Sequence, residues 1–240
     1  MCMLFGFTAK KTYKIGKTID KFFQFSKINK DGWGLAIFRH TYSTPDIYKE
    51  PVAAYKSNYA KYIIKDGIEA QIAIAHIRYA TAGKVNFHNT HPFVRVINGR
   101  QWVFAHNGSV NMEGYEFINN KPSGETDSEK IFCLIEKKLS GIRGDRTADK
   151  EIKVIENTIK ELSSKGKLNI LLTDGKMFFV HSNYKDTLYM YQNSNFYCFS
   201  TKVENPESWK PVPLNKLMVF KEGKKYYESE DISNEYKKVI

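Results

Sequence analysis

Apolar residues recur along this chain with two different periods. Alternation, or a short unbroken apolar run, marks strands at Met3–Phe7, Leu35–Phe38, Gln71–Arg78 and Gln101–Ala105, the last stopped by a turn at His106-Asn-Gly108. After residue 125 the period lengthens to three and four. Thr126-Asp-Ser-Glu129 has the capping-box pattern, and Ile131, Leu134, Ile135 and Leu139 follow on one helical face. A second helix is expected from about Ala148 to Ser164. Ile152, Ile155, Ile159 and Leu162 form its stripe, and Gly166 is its C-terminal stop. Strand pairs then return. Leu168–Leu172 and Met177–Val180 flank Thr173-Asp-Gly175, Leu188–Tyr191 and Phe196–Phe199 flank 192–195, and Leu217–Phe220 and Tyr226–Tyr227 flank 222–225. No linker, repeat or low-complexity segment interrupts the pattern. Two sheets with helices packed outside them, one α+β domain over residues 1–240, accommodate it.

Composition narrows the class of protein. At 42% hydrophobic and 26% charged residues, the chain is neither disordered nor fibrous. The formal charge of +11 raises the question of a polyanion partner. Only six of the 37 cations are Arg, however, and the lysines are spread in runs no longer than two. That is the make-up of a solvated surface, so neither nucleic acid nor membrane is expected as a partner. Cys2, Cys133 and Cys198 cannot all pair and have no metal-ligand spacing, which suits a reducing, cytoplasmic setting. No apolar run reaches the roughly 18–20 residues that span a bilayer, and the apolar first nine residues lack a basic leader.

Four features carry candidate chemistry, and each alone has an ordinary structural reading. Cys2 becomes the N-terminus if Met1 is removed. A thiol titrating near 8.5 then shares a residue with an α-amine near 7.7–8.0, so moving the proton from sulfur to nitrogen costs only about 1 kcal/mol. Without that removal, Cys2 reads as a small strand residue. Asn107 and Gly108 on a turn can aim a side-chain and a backbone N–H at one oxygen, as an oxyanion hole requires, but Asn-Gly is also a common hairpin turn. Arg78, leaving a buried strand for a Thr81/Gly83 loop, suits a carboxylate clamp or a structural ion pair. Asp127 at a helix start suits an ammonium or simply the helix dipole. Taken together, the four describe a site for an α-amino acid with a reactive carbonyl down its side chain. A metal reading of His76, His88, His91 and His106 is set aside, since no carboxylate or Cys sits at zinc spacing.

The order of these motifs resembles the class II glutamine amidotransferases, whose glutaminase domain is an N-terminal-nucleophile hydrolase. The likeness rests on Met-Cys-x-Leu-Phe-Gly at the start, Asp31-Gly-Trp-Gly34, His76–Gly83, Asn89-Thr-His-Pro-Phe93, Phe104–Gly108 and Gly124–Glu129, and is nearest to the small stand-alone members. It implies a four-layer αββα sandwich with two stacked, mainly antiparallel sheets flanked by helices. It also implies a set of roles. Cys2 attacks the glutamine side-chain amide, and Asn107 and Gly108 hold the oxyanion. Arg78 with Thr81 binds the α-carboxylate, and Asp127 binds the α-ammonium. His91 lines the pocket, Tyr79 lies in a lid over it, and Trp33 packs close to the nucleophile strand. No cofactor is implied. With only some 60 residues after position 180, no ammonia-consuming domain is expected in this chain. Three readings stay open: a glutaminase feeding ammonia to a separate synthase partner (or working as a homo-oligomer), a hydrolase of small γ-glutamyl peptides or thiol metabolites, and a glutamine-binding module without turnover.

Overall fold

Alternation within β1 (Met3–Lys14) shows how the layers are built. Phe5, Phe7 and Ala9 point to one side and Leu4 to the other, as the two-residue period of a strand demands. The computed structural model describes residues 1–41, 43–203, 205–232 and 234–237. In it β1 is central to a seven-stranded sheet. On one side lie β4 (Glu69–Ile77), β2 (Trp33–Phe38) and β3 (Asp46–Glu50); on the other lie β10 (Phe196–Ser200), β9 (Tyr189–Gln192) and the two-residue β11 (Lys210–Pro211). The second sheet has six strands. Its order is β13 (Lys224–Glu228), β12 (Leu217–Lys221), β8 (Met177–Ser182), β7 (Gly166–Thr173), β6 (Arg100–Val110) and β5 (Phe93–Ile97). All strand pairings described are antiparallel.

Three apolar layers bind four structural ones. Helices α1 (Gly16–Gln24) and α2 (Asn58–Asp66) lay Ile19, Phe22, Phe23, Ala60 and Ile63 on the outer face of the first sheet. Helices α3 (Asp127–Ser140) and α4 (Ala148–Ser163) cover the second sheet with Ile131, Ile135, Ile152, Ile155 and Ile159. Between the sheets, Leu4, Phe38, Ile74, Leu171, Phe178, Phe199 and Phe220 interdigitate. Each fully buried aromatic there contributes roughly 1.5–3 kcal/mol of transfer free energy. The four-layer αββα sandwich expected from the sequence is the architecture observed.

Two sequence expectations are corrected. His106-Asn-Gly108 is not a turn: β6 runs straight through it to Val110, because β7 pairs with it along the whole length, Asn107 opposite Asn169 and Gly108 opposite Leu168. Gly166 is not a helix stop either. Helix α4 ends at Ser163 with Ser164 still right-handed, and Gly166 opens β7. A Cβ at Gly166 would run into the Ser109 carbonyl and the Val110 backbone, so this glycine serves strand approach. Helices α1 and α2 and strands β3 and β5 were not anticipated; α1 has no side-chain cap to announce it.

Candidate active site

Antiparallel pairing of β1 with β4 lays the start of one strand beside the end of the other, with Met3 opposite Ile77. Cys2 and the Arg78–Tyr79 step therefore become neighbours across 76 residues of sequence. The Cys2 thiol donates to the Tyr79 carbonyl at 3.3 Å and accepts from the Tyr79 N–H at 3.3 Å. Burial pushes the Cys2 thiol up, against the smaller downward pull of the Tyr79 amide, the N-terminal charge and Arg78.

The facing sheet supplies the other half. Along β6 the inter-sheet face carries Val103 and Ala105, then Asn107 and Ser109; along β7 it carries Leu171, then Asn169 and Lys167. One face of one ladder thus changes from apolar to polar as it reaches Cys2. The Asn107 carboxamide donates to the Cys2 carbonyl and accepts from Lys167 Nζ at 2.9 Å. Gly108 could not be another residue, because a Cβ would strike the Lys167 carbonyl and the His106 ring. Alternate N–H groups of a strand point to the same edge. The Val110 N–H, two residues on, reaches Asp127 Oδ2 at 2.8 Å, so the Gly108 N–H is aimed to that same edge, which β5 does not cover.

The loop after β4 is stitched down rather than loose. The Arg78 N–H meets the Gly32 carbonyl at 2.8 Å, and Asp31 Oδ2 accepts from the Ala80 N–H at 2.8 Å. Arg78, nearly buried, directs its guanidinium to the carbonyls of Ala82, Gly83 and Lys84 at 3.0–3.2 Å. Three contacts leave two of its five N–H donors for a ligand. Asn89, fully buried, knots this loop to the helix that follows. It donates to Lys84 O at 3.0 Å and accepts from the Glu125 N–H at 2.7 Å. Thr126 caps α3 through the Glu129 N–H at 3.3 Å, while the Glu129 carboxylate reaches back to the N–H groups of Ser123 and Gly124 at 2.8 and 2.6 Å. Glu129 thus reaches two and three residues upstream of Thr126, whose N–H is the partner in the expected capping box. Gly34 passes so close beneath the His91 carbonyl and Pro92 that a side chain is excluded, which ties the Asp31–Gly34 and Asn89–Phe93 motifs to each other.

A cavity of about 280 Å³ joins these parts, lined among others by Cys2, Tyr79, Thr81, Asn107, Gly108 and Lys167. Arg78 and Asp127 lie close enough to influence the Cys2 thiol, although neither lines the cavity; Tyr79, 47% exposed, stands at its rim. His91 is not brought into it. Its ring stacks on His76 at 4.1 Å between centroids, and the ring nitrogens of both lack hydrogen-bond partners among the described residues. Burial, aided by nearby cationic groups, pushes His76 down to about 3 and His91 well below its ordinary value, leaving both neutral. His106 instead bridges Ser128 Oγ at 3.0 Å and Lys167 O at 2.9 Å. Among the described residues no group of three or more His, Cys, Asp or Glu is placed to hold a metal ion. Trp33 is separated from β1 by β4, its indole N–H on Glu50 at 3.2 Å.

Two residues here escaped sequence reading. Lys167 is 5% exposed and touches both Asn107 and Met1 Sδ, the latter at 3.2 Å. Asn29, 3% exposed, donates to the Met1 carbonyl at 2.6 Å. The one available signal was a Lys and an Asn at positions 167 and 169, on a strand otherwise buried on both faces.

Comparison with known proteins agrees with this fold. The family model of the class-II glutamine amidotransferases matches residues 1–198. YafJ of Escherichia coli K12, which carries a provisional glutamine amidotransferase name, is 39% identical over 154 residues, covering 62% of this chain and 58% of its own. The match thus spans less than two thirds of that relative. A predicted glutamine amidotransferase from Pseudomonas aeruginosa superposes with a TM-score of 0.67 at 20% identity, over 94% of this chain and all of its own. The glutamine phosphoribosylpyrophosphate amidotransferase of Bacillus subtilis shares the fold at a TM-score of 0.67 and 17% identity, over 97% of this chain and 49% of its own. No helix among the described residues is long and apolar enough to cross a membrane. By family match, sandwich architecture and motif order, this chain belongs to the class-II glutamine amidotransferases.

Proposed function

We propose that this chain is a glutaminase in which Cys2, made N-terminal by removal of Met1, is the nucleophile. The supporting observation is the meeting of the Cys2 thiol on one sheet with the Asn107–Gly108 step of the other across a single cavity. The α-amine takes the thiol proton, and sulfur attacks the γ-carbonyl carbon of glutamine. Asn107 Nδ2 and the Gly108 N–H stabilise the oxyanion. Collapse breaks the C–N bond; the amide nitrogen leaves with the proton held by the α-amine and departs as ammonia. Water, deprotonated by the same amine, then cleaves the γ-glutamyl thioester to glutamate and restores the thiol. Arg78 and Thr81 take the α-carboxylate, Asp127 the α-ammonium, and Tyr79 closes over the site.

Met1 stands against this chemistry twice. Its peptide bond makes the Cys2 nitrogen a non-basic amide, and its side chain lines the cavity mouth against Lys167. Residues 1–240 act as one catalytic domain in this reading, and ammonia passes to water or to a synthase partner. Intact mass of protein purified from cells, before and after a glutamine-like diazo ketone, tests it. Loss of Met1 and one covalent adduct, absent in Cys2→Ala, is the expected result. Retained Met1 with no adduct points instead to a glutamine-binding module.

A further inference from the structure

Among the described residues, Lys167 is the one cation on the cavity wall, with an almost wholly buried side chain and no acid beside it. Its ammonium sits 2.9 Å from Asn107 Oδ1 and 3.2 Å from Met1 Sδ, and lies over the Tyr184 ring at 5.0 Å. An amide oxygen, a weak thioether acceptor and an aromatic face leave its charge uncompensated, and no carboxylate of the described residues pairs with it. Buried charges are normally paired. The wall around it is tied together by contacts. Tyr236 packs edge-on against Tyr184 at 5.3 Å between ring centroids and donates its backbone N–H to Asn183 at 2.6 Å. The Asn183 carboxamide is fixed in turn to the Leu168 N–H at 2.7 Å and the Gly166 carbonyl at 2.9 Å.

Location says which part of a substrate meets this cation. The amine of Cys2 must reach the departing nitrogen, and Met1 is bonded to that amine. Met1 Sδ rests on Lys167, so Lys167 lies on the leaving-group side of the scissile bond, and removal of Met1 uncovers it. We propose that Lys167, walled by Tyr184 and Tyr236, is a subsite for an anion carried by the leaving amine, so that the preferred substrates are γ-glutamyl amides whose amine bears a carboxylate. This rests on the Cys2 chemistry of the glutaminase reading above and moves its preferred substrate from glutamine to γ-glutamyl amino acids or peptides.

The test uses Met1-free full-length protein with glutamine, γ-glutamylglycine and γ-glutamylglycinamide, the last two differing in the leaving group's carboxylate. The expected kcat/KM ratio of γ-glutamylglycine to γ-glutamylglycinamide is about 10 or more, as for a charge-assisted hydrogen bond. It falls to near 1 in Lys167→Met and is restored in part in Lys167→Arg. A ratio near 1 in the wild type, with Cys2 labelled and glutamine hydrolysed, overturns the subsite and leaves the glutaminase standing. If Lys167→Met raises KM for glutamine as much as for γ-glutamylglycine, Lys167 holds the glutamyl head's own carboxylate, and the leaving-group assignment is wrong. No turnover of any γ-glutamyl compound and no adduct at Cys2 defeats the glutaminase reading, and the subsite falls with it.

Discussion

The two ends of the β6–β7 ladder hold a cation in opposite ways. At the far end Arg100, about one-third exposed, pairs with both Asp174 and Glu151, and Asp174 Oδ1 also accepts the N–H groups of Lys176 and Met177 at 3.0 and 2.7 Å. Burial pushes Glu151 up, and Arg100 opposes that shift. At the end beside Cys2, Lys167 is far more buried and has no acid partner among the described residues, so burial pulls its ammonium down to about 8. The first arrangement is complete and locks α4 and the β7–β8 turn to the sheet. The second is incomplete, and an incomplete buried charge is what a ligand site looks like before its ligand arrives.

Perturbing the two ends separates them. Asn107→Ala carries the largest expected effect. It removes one of two oxyanion donors and lowers kcat by about 10²–10³-fold in steady-state ammonia release, while the urea midpoint moves little. Arg100→Met strands two buried carboxylates and lowers stability by about 3 kcal/mol in equilibrium urea unfolding, with kcat per folded molecule preserved.

Lys167→Met moves stability the other way, by about 1–2 kcal/mol upward at pH 7, since it removes a buried charge without orphaning a partner charge. Its pH dependence has a defined sign. The folded value near 8 lies below the ordinary 10.5, so between them the unfolded chain binds more protons and wild-type stability climbs with pH. The advantage of Lys167→Met therefore shrinks from pH 8 towards 10.5. The titratable groups facing Lys167 are Cys2, His106, Tyr184 and Tyr236, and Cys2→Ala measured in parallel removes the thiol's share of the slope. A variant less stable than wild type at pH 7 would erase the contrast between the two ends. Tyr184→Leu is the smallest change: loss of the ring under the ammonium weakens binding of a carboxylate-bearing substrate by about 0.5–1 kcal/mol, read as a two- to five-fold rise in KM.

Much of this architecture was legible along the chain, and the failures share a cause. Helices α3 and α4 announced themselves through Thr126, Glu129 and the isoleucine stripes, because a helix face repeats locally. The paired strands around Asp174-Gly175 and Glu222-Gly223 did so through turn residues with positive φ. Asn107-Gly108 misled for the same reason: locally it is a turn, and only a partner strand 60 residues away holds it extended. Gly166 is a second case, a helix stop by its neighbours and a strand contact by its fold. Within the site, Cys2, Arg78, Thr81, Asn107, Gly108 and Asp127 stood out by motif. Lys167 and Asn29 did not, since a single Lys or Asn has no local pattern, and His91 was drawn out of the cavity by its stack on His76.

By itself, then, the sequence determined α3, α4, most of the long strands with their inward faces, and the family, because each is written in periods and motifs a few residues long. The tertiary structure alone decided that Cys2 lies against Tyr79 and beneath Asn107, and that the inter-sheet layer turns polar at this end. It also decided that an unpaired lysine from β7 closes the cavity wall. Those facts depend on strand register and on distances between residues a hundred positions apart, and no local period encodes them.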